Sequence, residues 1–322
     1  MLLATLAILI GLPILLWSAD KFVGGAASVA NHLGMSPLLI GMLIIGFGTS
    51  APEIIVSIFA AIQGNSGIAL GNAYGSNVAN ILLILGLTAV ISPIAVKSNI
   101  IKKELPVLLG ITFFAAWQVL DQNVSKDDAF SLLGLFVLLI SWSIYHGMKG
   151  DSDELASEYS DEINANAGTV KTHVVWLITG LLLLVASSRM LVWGAVEVAT
   201  YFGVSDTIIG LTVIAIGTSL PELASSLVAV KKGEHDLAIG NVIGSNMFNT
   251  LAVVGIAGTI QPMAVSADFL YRDVVVMLAS TVALFIFCIG IKRQGRLNRL
   301  EGGAFVLAYA AYTYWLIQVA FI

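Results

Sequence analysis

Apolar runs of about bilayer length follow one another along almost the whole chain, separated only by short polar breaks. This leaves few folds open, because a helix needs roughly 20 apolar residues to cross the hydrocarbon core of a membrane. Hydrophobic residues make up 58% of the 322 positions and charged ones 11%, against about 25% charged in soluble domains. A fold built for water would have too little polar surface to show it. The runs lie near residues 2–30, 35–62, 67–92, 104–120, 128–147, 173–200, 204–230, 237–262, 273–291 and 302–321. They predict an all-α membrane protein with about ten transmembrane helices. The first run is apolar from its start and has no basic segment ahead of it, so it reads as a first span and not as a cleaved signal. The net charge of −5 and the absence of any basic block argue against a nucleic-acid partner. The single Cys288 cannot form an internal disulfide and reads as a small core residue.

One polar segment stands out. Residues 148–172 carry Asp151, Asp153, Glu154, Glu158, Asp161 and Glu162 and read as a solvated linker. They lack the ordered loop of an EF-hand, with its turn glycine and closing glutamate. The distribution of Lys and Arg sets the orientation. With the N-terminus outside, the cytoplasmic loops hold Lys97, Lys102, Lys103, Lys149, Lys171, Lys231, Lys232, Lys292, Arg293, Arg296 and Arg299, and the outer loops only Lys126 and Arg272. Both termini are therefore expected outside and the linker in the cytoplasm; the expected location is the plasma (inner) membrane.

The two sides of the linker repeat. Sliding the sequence by 169 residues aligns Gly48–Glu53 (GTSAPE) with Gly217–Glu222 (GTSLPE), and Gly71–Asn80 (GNAYGSNVAN) with Gly240–Asn249 (GNVIGSNMFN). From Gly46 to Asn80, 15 of 35 positions are identical, which marks a duplicated unit. Five spans per half is an odd number, so the second half must enter from the opposite side. The expected organisation is a first five-helix repeat over 1–147, the linker over 148–172, and an inverted second repeat over 173–322, an architecture common among secondary transporters.

Each half places a carboxylate, Glu53 or Glu222, inside its second span. A charge at that depth is costly, by about 2.5–3.5 kcal/mol on insertion scales, and marks a substrate path. Pro52 and Pro221 lack an N–H, which frees the carbonyls of Gly48 and Gly217 four residues back. A helix broken there can turn carbonyls towards a cavity. Thr49 and Glu53, like Thr218 and Glu222, are four apart and share a helix face. The third span of each half adds Ser76 and Asn80, or Ser245 and Asn249, at the same spacing. Gly71, Gly75, Gly240 and Gly244 suit close helix approach. The donors are all oxygen, with no His or Cys nearby, which suits a hard cation. Two facing carboxylates call for neutralisation by one Ca²⁺, two Na⁺ or two protons. Ser57, Ser226 and Gly41 read as packing residues. For Asn77 and Asn246, helix–helix hydrogen bonding and ion contact stand level.

The paired G-T-S-x-P-E and G-N-x-x-G-S-N-x-x-N segments resemble the two alpha repeats of the sodium/calcium exchanger family, prokaryotic type, within the calcium/cation antiporter superfamily. The resemblance implies that Thr49, Glu53, Thr218 and Glu222 hold Ca²⁺, both threonines through their backbone carbonyls. It implies that Ser50, Ser76, Ser219 and Ser245 help hold Na⁺ with the carbonyls of Gly46 and Ala215, and that Asn80 and Asn249 line the central position. Some relatives carry Asp in place of one of these Asn. Two Asn leave the site with two formal charges, which argues against K⁺ co-transport. Relatives with regulatory domains carry them in the central loop, and 148–172 is too short for one.

These readings converge on a Na⁺/Ca²⁺ antiporter working by alternating access, Ca²⁺ leaving as Na⁺ enters. No cofactor is implied; the partners are Ca²⁺ and Na⁺ as substrates and the lipid bilayer. The alternative is a H⁺-coupled cation exchanger on the same fold, since two carboxylates could release protons; the neutral Ser and Asn donors favour Na⁺. A channel fits the inverted repeat less well, and no nucleophile–base set or nucleotide loop suggests an enzyme. Finally, Asp20 and Arg189 are also 169 apart; one reading is an ion pair between spans one and six across the pseudo-two-fold axis, the other that each reaches its own interface, with Lys21 beside Asp20.

Overall fold

The computed structural model describes residues 1–33, 41–64, 66–96, 100–148, 170–202, 215–289 and 295–320. Most of the expected linker, and the start of the span expected over 204–230, lie outside the described residues. The described chain is almost entirely helical. Stretch α1 is Leu2–Leu33. Stretch α2 runs through Gly41–Ile45 and Gly46–Thr49 and, after a break at Ser50, Ala51–Ile62. Stretch α3 is Ser66–Val78, Ala79–Leu85 and Gly86–Ile91; α4 is Ile100–Glu104 and Leu105–Gln118; α5 is Lys126–Met148. In the second half, α6 is Val170–Tyr201 and α7 is Ala215–Thr218 and Leu220–Lys231. The chain continues through α8, which is His235–Phe248, Asn249–Val253 and Val254–Ile260. It ends with α9, Phe269–Val274 and Val275–Cys288, and α10, Arg299–Ala320. Taken singly, 6 of these helices are long and apolar enough to cross a membrane, and 7 if the bent α2 is one span.

The burial pattern is inverted relative to a soluble protein. Phe59, Trp117, Leu138, Leu182 and Leu307 are exposed, whereas Glu53, Glu222, Asn80 and Asn249 are buried. Lipid accepts the apolar exterior, and the helices satisfy their own backbone there. Stretch α8 is buried along its whole crossing length and α3 along most of it, so these two form the centre. Cys288 is a buried member of the hydrophobic core. Stretches α1 and α6 lie at the side and pack along each other.

Contacts recur at the repeat spacing. On α6, a Cβ on Gly194 would lie 2.7 Å from the Ala4 carbonyl; on α1, one on Gly25 would lie 2.9 Å from the His173 carbonyl. Both members of the second contact are the first pair's equivalents, 169 residues away. Glycine is required at these crossings because any side chain would press on the facing backbone. Two short antiparallel ladders, which the hydropathy pattern did not reveal, tie the halves together. Strands β1 (Ile94–Ala95) and β4 (Arg296–Leu297) pair Ile94 with Leu297, and β2 (Asn123–Val124) and β3 (Met263–Ala264) pair Val124 with Met263.

Among the expected glycine approaches, Gly244 meets α2 most tightly: a Cβ there would overlap the Met42 backbone, and one on Gly46 would lie 3.0 Å from Ser245 N. Gly240 is buried in α8. Gly71 and Gly75 face open space among the described residues. The position equivalent to Met42 in the second half is Leu211, which lies outside them.

Candidate cation site

Two broken helices build the site. Stretch α2 bends by 49° between Thr49 and Ala51, and the pieces of α7 are likewise separated at Ser219. Pro52 and Pro221 each fall within the first two positions of the following piece, where the missing N–H is tolerated. That places Glu53 and Glu222 in the first turn of their helices. Both are deep in the bundle, 0% and 1% exposed. Among the described residues the ion pairs join Asp20 to Lys232 and Lys21, and Arg272 to Asp273; neither glutamate takes part. The charged group acting on Glu53 is the other carboxylate, Glu222.

The halves interlock at this point. The Thr218 hydroxyl acts on Glu53, and the Thr49 and Ser50 hydroxyls act on Glu222. Ser50 Oγ donates to Glu222 Oε1 at 3.3 Å. Ser245 Oγ, on α8, donates to the Gly46 carbonyl at 3.3 Å and lies 3.5 Å from Thr49 Oγ1. Thr49 Oγ1 has one proton to share among the Ile45 carbonyl, at 3.0 Å, Asn241 Oδ1, at 3.2 Å, the Gly46 carbonyl, at 3.4 Å, and Glu222. The structure thus brings together Gly46, Thr49, Ser50 and Ser245 with Glu222, and Thr218 with Glu53.

The central helices widen where the asparagines sit. Ala79–Leu85 and Asn249–Val253 are π-helical turns, which recur at functional sites. Asn80 Nδ2 donates to Asn246 Oδ1 at 3.0 Å, Asn246 Nδ2 to the Asn77 carbonyl at 3.3 Å, and Asn77 Nδ2 to Thr250 Oγ1 at 2.7 Å. Asn77 and Asn246 thus make helix–helix hydrogen bonds here, and Asn77 Oδ1 has no hydrogen-bond partner among the described residues. Ser76 is buried one turn before Asn80, with no hydrogen bond to another site residue in the described structure. Ala215 opens the described part of α7, and its side chain is outside the description.

Several buried oxygens have no hydrogen-bond partner among the described residues: both of Glu53, Oε2 of Glu222, Ser219 Oγ, and the Oδ1 atoms of Asn80 and Asn249. Each such group costs about 1–3 kcal/mol when left unmade, and more when charged. Oxygens of this kind, carboxylate, hydroxyl and amide, are the donors that a hard cation satisfies.

Sequence reasoning missed two residues. Asn72 Nδ2 donates to the Glu53 carbonyl at 3.0 Å and to Ser57 Oγ at 2.9 Å. Asn241 Nδ2 donates to the Glu222 carbonyl at 3.1 Å and to Ser226 Oγ at 2.9 Å. The signal was present, since both asparagines and both serines repeat at 169. The packing reading of Ser57 and Ser226 gains a specific partner. Of the two readings of Asp20 and Arg189, the structure goes against the pair: Asp20 Oδ1 sits 2.7 Å from Lys232 Nζ and Oδ2 3.8 Å from Lys21 Nζ, and Arg189 is exposed. Repeat equivalence placed the two charges on partner helices, but Lys232, ending α7, reaches Asp20 first.

A multi-spanning membrane protein with a buried, oxygen-lined pair of carboxylates between two broken helices belongs to the class of ion transporters. Comparison with known proteins gives the family. The chain matches the family described as sodium/calcium exchanger protein over residues 3–145 and 172–318. It is 48% identical over 319 residues to the putative antiporter CaxA of Alkalimonas amylolytica, covering 99% of this chain and 100% of that protein. It is 30% identical over 349 residues to the sodium/calcium exchanger MaX1 of Methanosarcina acetivorans, covering 98% of each. Its fold superimposes on the sodium-calcium exchanger NCX_Mj soaked with Na⁺ and Sr²⁺ with a TM-score of 0.83 and 32% identity, over 96% of this chain and 97% of that one. The chain belongs to the sodium/calcium exchanger family and is an antiporter of that family.

Proposed function

We propose that this chain exchanges Na⁺ for Ca²⁺ by alternating access, extruding Ca²⁺ as Na⁺ enters. The observation that carries the reading is the pair of buried glutamates, partnered by no cation of the protein among the described residues and approached by the hydroxyls of Thr49, Ser50 and Thr218. In this reading Glu53, Glu222 and the carbonyls of Thr49 and Thr218 hold Ca²⁺. Ser50, Ser76, Ser219 and Ser245, with the carbonyls of Gly46 and Ala215, serve Na⁺, and Asn80 and Asn249 line the centre. No cofactor takes part. The chain crosses the plasma (inner) membrane ten times as two inverted five-helix repeats, residues 1–147 and 173–322, with both termini outside and residues 148–172 cytoplasmic. The ladders support this plan: β1–β4 joins two loops assigned to the cytoplasm, and β2–β3 two loops assigned to the outside. The neutral donors favour Na⁺ over H⁺ as the coupling ion, since a proton needs no oxygen cage.

The deciding experiment is ⁴⁵Ca²⁺ uptake into proteoliposomes with Na⁺, K⁺ or H⁺ gradients imposed one at a time. A Na⁺ gradient alone should drive Ca²⁺ against its own gradient. Drive by H⁺ alone would replace the reading with a proton-coupled exchanger, and a requirement for K⁺ would overturn the two-charge argument.

A further inference from the structure

Asn72 and Asn241 lie outside the ligand set proposed above, yet they hold it in place. Asn241 is 1% exposed. Its Nδ2 donates to the main-chain carbonyl of Glu222 at 3.1 Å and to Ser226 Oγ at 2.9 Å, so it grips the turn that carries the carboxylate. A main-chain carbonyl can only accept, which fixes the amide orientation and turns Oδ1 the other way. There Oδ1 accepts from Thr49 Oγ1 at 3.2 Å, across to the other half. Asn72 repeats the grip on its own half, on the Glu53 carbonyl and Ser57 Oγ.

From these contacts we infer that Asn241 is a positioning residue for cation binding, coupling the Glu222 turn of one half to Thr49 of the other, and that Asn72 holds the Glu53 turn in the same way. The inference rests on the site assignment above. Only a primary amide suits the position, because it supplies two donors and an acceptor from one planar group. Aspartate keeps the acceptor and loses both donors; leucine loses all three. The contact also gives the Thr49 hydroxyl a use within the protein, shared with the Ile45 carbonyl. That is why the threonine would offer its main-chain carbonyl, and not its hydroxyl, to an ion.

The test is equilibrium ⁴⁵Ca²⁺ binding to the purified full chain, together with thermal unfolding in the absence of Ca²⁺. Asn241→Ala should weaken Ca²⁺ binding about tenfold, the order expected for hydrogen bonds whose loss shifts a ligand turn. Thr49→Val, which keeps the carbonyl and removes the cross-half bond, should weaken binding less. The double variant should weaken binding by less than the sum of the two single effects, because both changes remove the shared Thr49–Asn241 contact. Asn241→Ala with native Ca²⁺ affinity and lowered thermal stability would reduce the residue to a packing role, and additive effects of the two changes would refute the coupling. If Asn241→Ala does not fold, Thr49→Val decides: native affinity there overturns the proposal. Glu222→Gln is measured alongside. If it binds Ca²⁺ normally the site assignment itself fails, whereas loss of binding there with native affinity in Asn241→Ala defeats the positioning role alone.

Discussion

Replacing Glu53 by glutamine separates a cation site from a structural carboxylate more sharply than any other single change. Glu53 is fully buried, neither of its oxygens has a partner among the described residues, and the charge acting on it is the like charge of Glu222. With Ca²⁺ between them, two carboxylates balance two positive charges. Glutamine leaves one positive charge uncompensated in the bundle. Breaking a buried charge pair in this way costs about 3–5 kcal/mol, and each 1.4 kcal/mol is about a factor of ten in affinity. Ca²⁺ binding should therefore fall by about two to three and a half orders of magnitude, taking ⁴⁵Ca²⁺ uptake into proteoliposomes to background. The ion-free protein should respond in the opposite sense, because glutamine removes the repulsion between the carboxylates and the desolvation of one of them. Its melting temperature without Ca²⁺ should equal or exceed that of the native chain, and the rise produced by added Ca²⁺ should vanish. Near-native uptake would refute the argument, and so would a variant that unfolds without Ca²⁺ while the native chain does not.

Three further outcomes follow from the same geometry. Two Na⁺ or one Ca²⁺ would neutralise the carboxylates, and on the proposed assignment the paired serine, asparagine and carbonyl donors would hold a third Na⁺. Transport should then move one net charge per cycle, worth about 2.3 kcal/mol per 100 mV; a Ca²⁺ flux balance unmoved by a valinomycin-clamped potential would establish a 2:1 ratio instead. The Asp20–Lys232 pair has side chains 44% and 37% exposed, so Asp20→Asn should destabilise the protein by no more than about 1 kcal/mol, as read by thermal unfolding at low and high salt. Gly244→Ala should lower stability by about 1–3 kcal/mol through overpacking, since its Cβ would overlap the Met42 backbone; Gly110→Ala, in open space on α4, should not, and equal melting temperatures would count against the close α2–α8 approach.

Much of this was legible because it depends on patterns that chemistry makes unambiguous. Apolar runs located the helices to within a few residues: the run at 128–147 is helix Lys126–Met148, and the run at 173–200 is Val170–Tyr201. The proline and glycine around Glu53 announced a broken helix, and the bend falls between Thr49 and Ala51. What escaped depends on relations across the fold. The β1–β4 and β2–β3 ladders are two residues per strand, too short for any alternation to show. The π-helical turns at Ala79–Leu85 and Asn249–Val253 leave the hydropathy of their segments unchanged. Lys232 as partner of Asp20 requires knowing how α7 ends beside α1. Asn72 and Asn241 were visible as repeated residues, but their work lies in main-chain carbonyls, which a sequence does not display.

A near-symmetric sequence has produced an asymmetric site, and the asymmetry has a direction. Ser50 Oγ donates to Glu222 at 3.3 Å. The contact related by the repeat would join Ser219 to Glu53, yet Ser219 Oγ and both Glu53 oxygens have no hydrogen-bond partner among the described residues. The serines, the glutamates and their spacing are the same in both halves, and the backbone at Ser50 and Ser219 is nearly the same, so the difference lies in how the halves meet. In an inverted repeat, the two halves exchanging conformations converts access from one side of the membrane into access from the other. Under the alternating-access reading, the other state has Ser219 bonded to Glu53 and Glu222 released from Ser50. The serine contact then passes from Glu222 in one state to Glu53 in the other. Ser50→Ala should loosen only the state described here, and Ser219→Ala only its counterpart. The two serine variants should consequently shift the balance of side-specific accessibility in opposite directions, measured by cysteine labelling from each face. Identical shifts from both would mean that the asymmetry is local to Ser50 and is not exchanged during transport.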